Sequence, residues 1–352
     1  MTWRALRNLL IAGVLVTAPV LACAVEQENT GETASGIWIS QNEIMQLPDH
    51  GPAWDALLAQ ARKPIAPNLS DKNDSSNVRV LARALVATRT GSALAREEVL
   101  DALDDVQGTE AGAKTLAIGR ELMAYVIAAE LVGLDGAPRS RFEAWLSKVA
   151  EEDFKGRTLR STHEDRPNNW GTHAGASRLA VAIYLGDQED IERAAWVFRG
   201  HVGDAEGWDK FKFGERWWQP ENASRDYGIN PVGARIGAHS VSGVIPDDQR
   251  RGGPFSWPPP KENYVYEALQ GVVAQAVMLE RLGMPAWDWG DQAVLRAFEW
   301  LHDSADFPAE GDDTWMPHIV NRAYGTQFPA PVPSKPGKAI GFADWTHALR
   351  VP

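Results

Sequence analysis

Apolar residues recur at the spacing of an α-helix through most of this chain. The pattern predicts helices over residues 42–46, 52–62, 78–88, 95–106, 114–134, 139–151, 190–201, 264–282 and 292–302, and a further one within 166–187. Runs that alternate between apolar and polar residues, as half-buried strands do, are never longer than a few residues. The chain is therefore predicted to be all-α.

Short turns join these helical segments, which favours antiparallel helix hairpins. Segment 114–134 is apolar around most of its circumference, as expected of a helix buried on several sides. We predict an α/α toroid, an incomplete barrel of hairpins, forming a single domain over residues 37–352. A plain bundle and a helical-repeat solenoid are the alternatives, and the absence of a fixed-period repeat counts against the solenoid.

The segment 166–187 is predicted to begin with an anion site. Pro167 suits a helix start and Gly186 a helix end. Asn169 and His173 are four residues apart, so in a helix they share one face near its N-terminus, where backbone N–H groups favour negative charge. The alternative is that Asn168 and Asn169 cap the helix and His173 is a satisfied interior histidine.

Residues 203–262 have little helical period and are predicted to form a long irregular loop region at the active site. Its cationic side chains and histidine are Arg225, Arg235, His239, Arg250, Arg251 and Lys261, and its interleaved aromatic side chains are Trp217, Trp218, Tyr227 and Trp257. Cations bind carboxylates and aromatic rings offer stacking faces, so this combination suits an anionic sugar polymer. The alternative is a surface loop that balances an acidic body.

Two tyrosines, Tyr264 and Tyr266, stand at the start of the helix that follows this loop. A cation such as Arg251 and the helix N-terminus favour a phenolate, whereas burial opposes it. A tyrosine in that position can accept a proton and then return it. The alternative is that both tyrosines are packing residues.

The composition narrows the class of protein. The chain has 352 residues, 44% of them hydrophobic, and a formal net charge of −12. An acidic chain is a poor general nucleic-acid binder, because that affinity depends on phosphate neutralisation. A local cluster of cations can still dominate within a cleft and bind an acidic substrate.

The first residues are predicted to be an export signal. Arg4 and Arg7 precede an apolar run over residues 9–20, and cleavage is expected after Ala24. The alternative is a lipid anchor on Cys23. Leu21 disfavours this alternative, because leucine is large for the position two residues before the cysteine. In either case the mature chain would be periplasmic or secreted, with a flexible lead-in over 25–36, no disulfide and no second membrane segment.

No cofactor or metal motif is present in the sequence. There is no zinc signature among the eight His, and no dinucleotide-binding, phosphate-loop or nucleophile-elbow motif. The acidic pairs Asp247–Asp248 and Asp312–Asp313 lack the spacing of a calcium loop. Because two carboxylates are sufficient for glycoside hydrolysis, these pairs keep a glycoside hydrolase as the second hypothesis.

The segments 168–173 (Asn-Asn-Trp-Gly-Thr-His) and 264–269 (Tyr-Val-Tyr-Glu-Ala-Leu) resemble the two active-site stretches of the alginate-lyase superfamily, which are secreted α/α-toroid polysaccharide lyases acting on uronic-acid polymers. In better-known members the Asn is followed directly by His, and the second stretch is Tyr-His-x-Tyr-Ala-Leu. Here Trp170 takes that His position, His173 comes one turn later, and Glu267 stands at the second Tyr. The Arg expected shortly before the Tyr is missing, with Arg251 the nearest candidate, so the chain resembles a divergent branch.

The resemblance implies metal-independent β-elimination on an alginate, polymannuronate or glucuronan type of polymer. Asn169, His173 and an Arg, either Arg251 or Arg235, would hold the uronate carboxylate. Tyr264 would take the C5 proton and protonate the leaving oxygen, with Tyr266 or His239 assisting. The predicted substrate-binding residues are Asn168, Trp170, Arg235, Trp217, Trp218, Trp257 and Glu267. A non-catalytic glycan-binding surface protein is the third hypothesis.

Overall fold

Four buried helices form the inner layer of the protein, and more exposed helices cover them. The computed structural model describes residues 36–348, which fall within one compact unit. The predicted leader and lead-in, including Cys23 and all of 1–35, lie outside the described residues. The helices are α1 (Gln41–Met45), α2 (Pro52–Ala61), α3 (Ser76–Thr90), α4 (Ala93–Asp105), α5 (Thr115–Val132), α6 (Gly136–Glu151), α7 (Leu159–Asp165), α8 (Asn169–Leu185), α9 (Gln188–His201), α10 (Pro246–Gln249), α11 (Tyr264–Arg281), α12 (Trp289–Glu299), α13 (Met316–Tyr324) and α14 (Ala343–Thr346).

The inner helices α3, α5, α8 and α11 are largely buried and pack against one another in that order. The helices between them in sequence, such as α4, α6 and α9, bury one face and expose the other. This arrangement of hairpins in two layers is the predicted α/α toroid, and the prediction is confirmed. None of the helices in the described part of the chain is long and apolar enough to cross a membrane.

The apolar pattern did not predict α7, α10, α13 and α14. The segment of α7 was predicted to be a loop, because Leu159 is its only large apolar residue. A capping box stabilises it instead: Thr158 and Ser161 each accept a hydrogen bond from the other's backbone N–H. The region after residue 302, predicted to be irregular, contains α13 and α14.

The irregular region predicted over 203–262 is confirmed in outline. Within residues 36–348, strand structure is confined to a small hairpin in this region, formed by β1 (Arg235–Ile236) and β2 (His239–Ser240). The short helix α10 and a 3-10 turn at Arg250–Gly252 follow it. The region is held in place from within: the Asn230 amide donates to the carbonyl of Trp218 at 2.9 Å, and Gln219 bonds both backbone groups of Tyr227.

Glycines allow the backbone of α8 to touch those of α5 and α11. A Cβ atom on Gly119 of α5 would lie 2.8 Å from the backbone nitrogen of Ala174, and one on Gly271 of α11 would lie 2.7 Å from that of His173. Real Cβ atoms do not approach backbone so closely, so both positions require glycine. The segment 172–174 is therefore fixed from both sides by its neighbours.

We expect Gly271→Ala to destabilise the fold by about 1–3 kcal/mol, although alanine is the better helix former, because the added methyl group must push α8 and α11 apart. Urea unfolding would measure the change. Glu97→Ala, at an exposed position of α4, is the control and is expected to change stability by less than about 0.5 kcal/mol. If Gly271→Ala were as stable as the wild-type protein, or more stable, then α8 and α11 would not be in tight contact.

Candidate functional site

The N-terminal turn of α8 carries two buried polar side chains that form no hydrogen bond with any described residue. Asn168 is the N-cap: its side-chain oxygen accepts the N–H of Trp170 at 3.2 Å. Asn169 and His173, one turn apart, are both completely buried, and neither the Asn169 amide nor the His173 ring has a hydrogen-bonding partner among residues 36–348. The Glu267 carboxylate approaches His173 Nε2 to 3.6 Å, beyond the hydrogen-bond distance of 3.5 Å, so the ring keeps unused hydrogen-bonding capacity.

A buried polar group without a partner costs about 1–3 kcal/mol, and native structures rarely leave one unless a water or a ligand completes it. Here two such side chains occur together at the start of a 17-residue helix, whose N–H groups and dipole favour an anion. The turn is therefore suited to binding an anionic ligand.

Glu267 faces His173 from α11 and is paired with Arg120. Its carboxylate lies 3.6 Å from His173 Nε2 and forms an ion pair with the Arg120 guanidinium. Burial opposes the charge on this carboxylate, but His173, Arg120 and Lys338 outweigh it and lower the pKa of Glu267 to about 2. Glu267 was predicted to bind substrate; the structure commits its carboxylate to a buried cation and to His173 instead.

Arg120 was not among the site residues predicted from the sequence. It lies in α5, the helix that is apolar most of the way round, and its side chain is buried. The signal that could have identified it is the Gly-Arg-Glu step at 119–121, since a charged residue within a fully buried helix needs a buried partner.

The two acids of α10, Asp247 and Asp248, have very different surroundings. Asp247 accepts hydrogen bonds from Gly214 N at 2.7 Å, Asn168 Nδ2 at 2.8 Å and Arg250 Nε at 2.9 Å, so its charge is fully compensated. Asp248 is completely buried and receives only the Asn169 N–H, at 3.3 Å. Burial, together with the charge of Asp247, raises the pKa of Asp248 well above its usual range, so its surroundings favour the protonated form.

Arg251 and Tyr264 form the exposed part of the site. The Arg251 guanidinium carbon lies 3.6 Å from the centre of the Tyr264 ring, which is a cation–π contact. Tyr264 is the first residue of α11 and is 38% exposed. It is three residues before Glu267, on the same side of the helix, so it lies one turn outside the buried Glu267 and His173.

Tyr266 and Trp218 belong to the core, contrary to the predictions for them. The Tyr266 hydroxyl donates to the carbonyl of Phe307 at 2.6 Å, and burial raises its pKa. Trp218 is completely buried, and its indole N–H donates to the carbonyl of Gly253 at 3.0 Å. With these contacts, Tyr266 cannot move a substrate proton and Trp218 cannot line a sugar subsite.

The other predicted aromatic residues lie at the surface. Trp217 and Trp257 are each about two-fifths exposed, and Trp170 is half-buried. His239, at the start of β2, stacks on Trp257 with ring centres 4.3 Å apart, so its contacts are with an aromatic face. These exposed rings remain candidate sugar platforms, whereas His239 is not brought to Tyr264 by any contact of the described residues.

Most cations of the irregular region are engaged locally. Arg225 and Arg235 donate to backbone carbonyls, and Arg250 and Lys261 pair with carboxylates. Within the described part of the chain, Arg251 forms no ion pair. Of the two arginines predicted to hold a carboxylate, Arg251 is therefore better placed than Arg235.

No group of three or more His, Asp or Glu side chains in residues 36–348 is arranged to hold a metal ion. A cavity of about 760 Å³ lies elsewhere, between α1, the start of α2 and residues 344–348, and none of the predicted site residues lines it.

Residues 98–206 match the sequence model of the alginate lyase family. The matched segment runs from α4 to the loop after α9, and it includes Arg120, Asn169 and His173. No protein with a curated function matches the chain significantly. The resemblance to the alginate-lyase superfamily that the sequence predicted is thus confirmed, at low sequence identity.

Solved structures of alginate lyases share the fold. An alginate lyase from Bacteroides ovatus superposes with a TM-score of 0.52 at 12% identity, covering 82% of this chain and 92% of that one. Alginate lyase A1-III from Sphingomonas species A1 gives a TM-score of 0.54 at 11% identity, with 88% and 91% covered. A His-to-Ala variant of alginate lyase A1-III complexed with a tetrasaccharide gives 0.54 at 12% identity, with 89% and 91% covered.

The contrast between the two acids of α10 can be tested by substitution. Asp247→Asn should destabilise the protein by about 1–3 kcal/mol at pH 7, because an amide cannot accept all three hydrogen bonds and the change removes one of the two carboxylates that pair with Arg250. Asp248→Asn should leave stability unchanged or raise it. The folded-state pKa of this acid lies above its unfolded value, so keeping it protonated costs free energy of folding above about pH 4.

Chemical unfolding of both variants at pH 7 measures these changes. A loss of stability in Asp248→Asn as large as that in Asp247→Asn would mean that Asp248 is an ionised, paired carboxylate.

Proposed function

We propose that this chain is an exported polysaccharide lyase that cleaves a uronic-acid polymer by metal-independent β-elimination. The family match and the fold support a polysaccharide lyase, a carbon–oxygen lyase. The observation that carries the proposal is the pair Asn169 and His173, which are completely buried and form no hydrogen bond among the described residues. Tyr264, covered by Arg251, lies one turn of α11 from Glu267, the carboxylate that faces His173. Alginate, polymannuronate and glucuronan are the candidate substrates, and the periplasm or the exterior is the proposed location.

Elimination requires the C5 proton of a uronate to become acidic, which the charge of the adjacent carboxylate opposes. The Asn169 amide, the His173 imidazole and the α8 N-terminus offer hydrogen bonds to that carboxylate and to the aci-anion that forms from it. Arg251 adds positive charge nearby. These groups are fixed before substrate arrives, which is what electrostatic stabilisation of a transition state needs.

Tyr264 is the proposed base and acid. Its phenolate oxygen takes the C5 proton, the C4–C5 double bond forms, and the bond from C4 to the leaving oxygen breaks. The same proton, now on Tyr264, is then passed to the leaving oxygen, so no other reactant is consumed. Arg251, stacked on the ring, supports the negative charge of the phenolate.

The exposed aromatic rings are the proposed sugar platforms. Trp170, Trp217 and Trp257 offer flat apolar faces around the irregular region, and sugar rings stack on such faces. An acidic polysaccharide is therefore the proposed partner.

Nothing in the geometry favours the hydrolase hypothesis. Asp247 is held by three hydrogen bonds and Asp248 is completely buried, so the pair does not present two carboxylates to a glycosidic bond. In Asp312–Asp313, Asp312 pairs with Lys338 at 3.0 Å and Asp313 is buried against Gln270.

Digestion of a panel of polymers distinguishes the three hypotheses. Alginate, polymannuronate, polyguluronate, glucuronan and hyaluronan would be incubated with the protein, and both ultraviolet absorbance and reducing ends would be followed. A lyase product carries a C=C bond conjugated to a carboxylate and absorbs. Reducing ends without absorbance would indicate a hydrolase, and binding without either product would indicate a glycan-binding protein.

Tyr264→Phe should lower kcat by about 10²- to 10⁴-fold and leave polymer binding largely intact, since it removes only the proton-transferring oxygen. Tyr266→Phe is the matched control: it should cost about 1 kcal/mol of stability through loss of the bond to Phe307, with turnover near the wild-type rate. The ultraviolet assay would measure the turnover of both variants on the polymer of the panel that the wild-type protein cleaves fastest. Near-normal turnover by Tyr264→Phe would exclude Tyr264 as the base.

A further inference from the structure

The charged groups around His173 come from three separate elements. Glu267 faces it from α11 at 3.6 Å, Arg120 reaches Glu267 from α5, and Lys338 lies near both in the C-terminal segment. Lys338 is itself paired with Asp312 at 3.0 Å and is partly exposed. The nearest and least screened influences on the imidazole are therefore Glu267 and Arg120, whose side chains are both nearly buried.

These two residues act on His173 in opposite senses. Burial favours the neutral imidazole, Glu267 favours the imidazolium, and Arg120 disfavours it. Because Arg120 is bonded to the same carboxylate oxygen of Glu267 that faces His173, the two charges largely cancel at the ring. Burial then dominates, and the pKa of His173 lies below its usual value.

We propose that the Arg120–Glu267 pair is a positioning and charge-setting element for His173, which keeps the imidazole neutral and oriented in the empty site and allows it to take up one proton when a carboxylate binds there. This rests on the proposed function, which places a uronate carboxylate at Asn169 and His173. Arg120 and Glu267 are positioning residues: they act through His173 and touch no substrate.

The proton balance is simple. A neutral imidazole with one N–H directed at Glu267 presents a lone pair to the ligand, and a lone pair repels a carboxylate. The incoming carboxylate adds a second negative charge on the far side of the ring. Together with Glu267 it offsets the effect of burial, so a proton is taken from solvent, the imidazolium donates to the carboxylate, and the proton is returned when product leaves.

The first test needs no ligand. The His173 ring would be titrated by ¹H–¹³C NMR, with its signal assigned by its loss in His173→Gln. Glu267→Gln should move the pKa of His173 further down, because the favourable anion is gone. Arg120→Gln should move it up, because Glu267 then acts unopposed. His201, buried outside this cluster, is the internal control and should not move.

Opposite shifts are the distinguishing result, since a purely structural disturbance would not move the pKa in two directions. Two conservative variants keep the test decisive if a Gln variant does not fold. Arg120→Lys retains the charge and should leave the pKa of His173 near the wild-type value, and Glu267→Asp withdraws the carboxylate and should lower it. Shifts in the same direction, or no shift, would overturn the proposal.

The second test measures the proton itself. Calorimetric binding of a mannuronate oligomer to Tyr264→Phe would be repeated at pH 7 in buffers of different ionisation enthalpy. We expect uptake of about one proton per oligomer bound, and clearly less when Glu267→Gln is added. Binding without proton uptake would overturn the proposal and leave the proposed function standing. If no polyuronate binds or is cleaved, the proposed function fails, and the NMR titration still decides the role of the pair.

Discussion

The backbone of α8 touches the backbones of α5 and α11 at the level of His173, and the geometry of the site depends on this double contact. Gly119 and Gly271 allow it, because neither has a side chain to hold the helices apart. The close approach brings Arg120 from α5 and Glu267 from α11 to the same imidazole. A looser crossing would separate charges that are buried and cannot be stabilised by water.

The polar groups of the site are arranged from the inside outward. Asn169 and His173 are completely buried and form no hydrogen bond among the described residues. Arg120 and Glu267 form an ion pair beside them, with side chains that are 6% and 12% exposed. Arg251 and Tyr264 are outermost and partly exposed. The buried part of the site thus holds hydrogen-bonding groups that no described residue uses, while Arg251 and Tyr264 lie towards the surface.

The long, apolar helices could be predicted from the sequence because their pattern is continuous. The predicted segments 114–134 and 264–282 became α5 and α11 almost without change. The choice between Tyr264 and Tyr266 could also have been made, since residues two apart on a helix point about 200° from each other and cannot share a face. Trp217 and Trp218 could not be separated in the same way, because an irregular backbone has no period to indicate which ring is buried.

Pairing between distant charges was the part that sequence patterns could not predict. Arg120 and Glu267 are 147 residues apart, and nothing in either local segment identifies the other as a partner. Arg120 is a charge in a buried helix and Glu267 is an acid after a tyrosine. Only the packing of α5 and α11 against α8 shows that the two residues form a pair. The same applies to Asp247 and Asp248, which are adjacent aspartates with different surroundings. Asp247 accepts three hydrogen bonds, whereas Asp248 is completely buried and accepts the Asn169 N–H.

The distance in sequence between α8 and α11 also has a consequence for how the site comes into being. Residues Asn169 and His173 are made well before Glu267 and Tyr264, and a chain that stops before α11 has one half of the site without the other. Contacts between segments so far apart close late in folding. The proposed chemistry would therefore be absent from a partly made chain, and it would require α11 to be docked against α8.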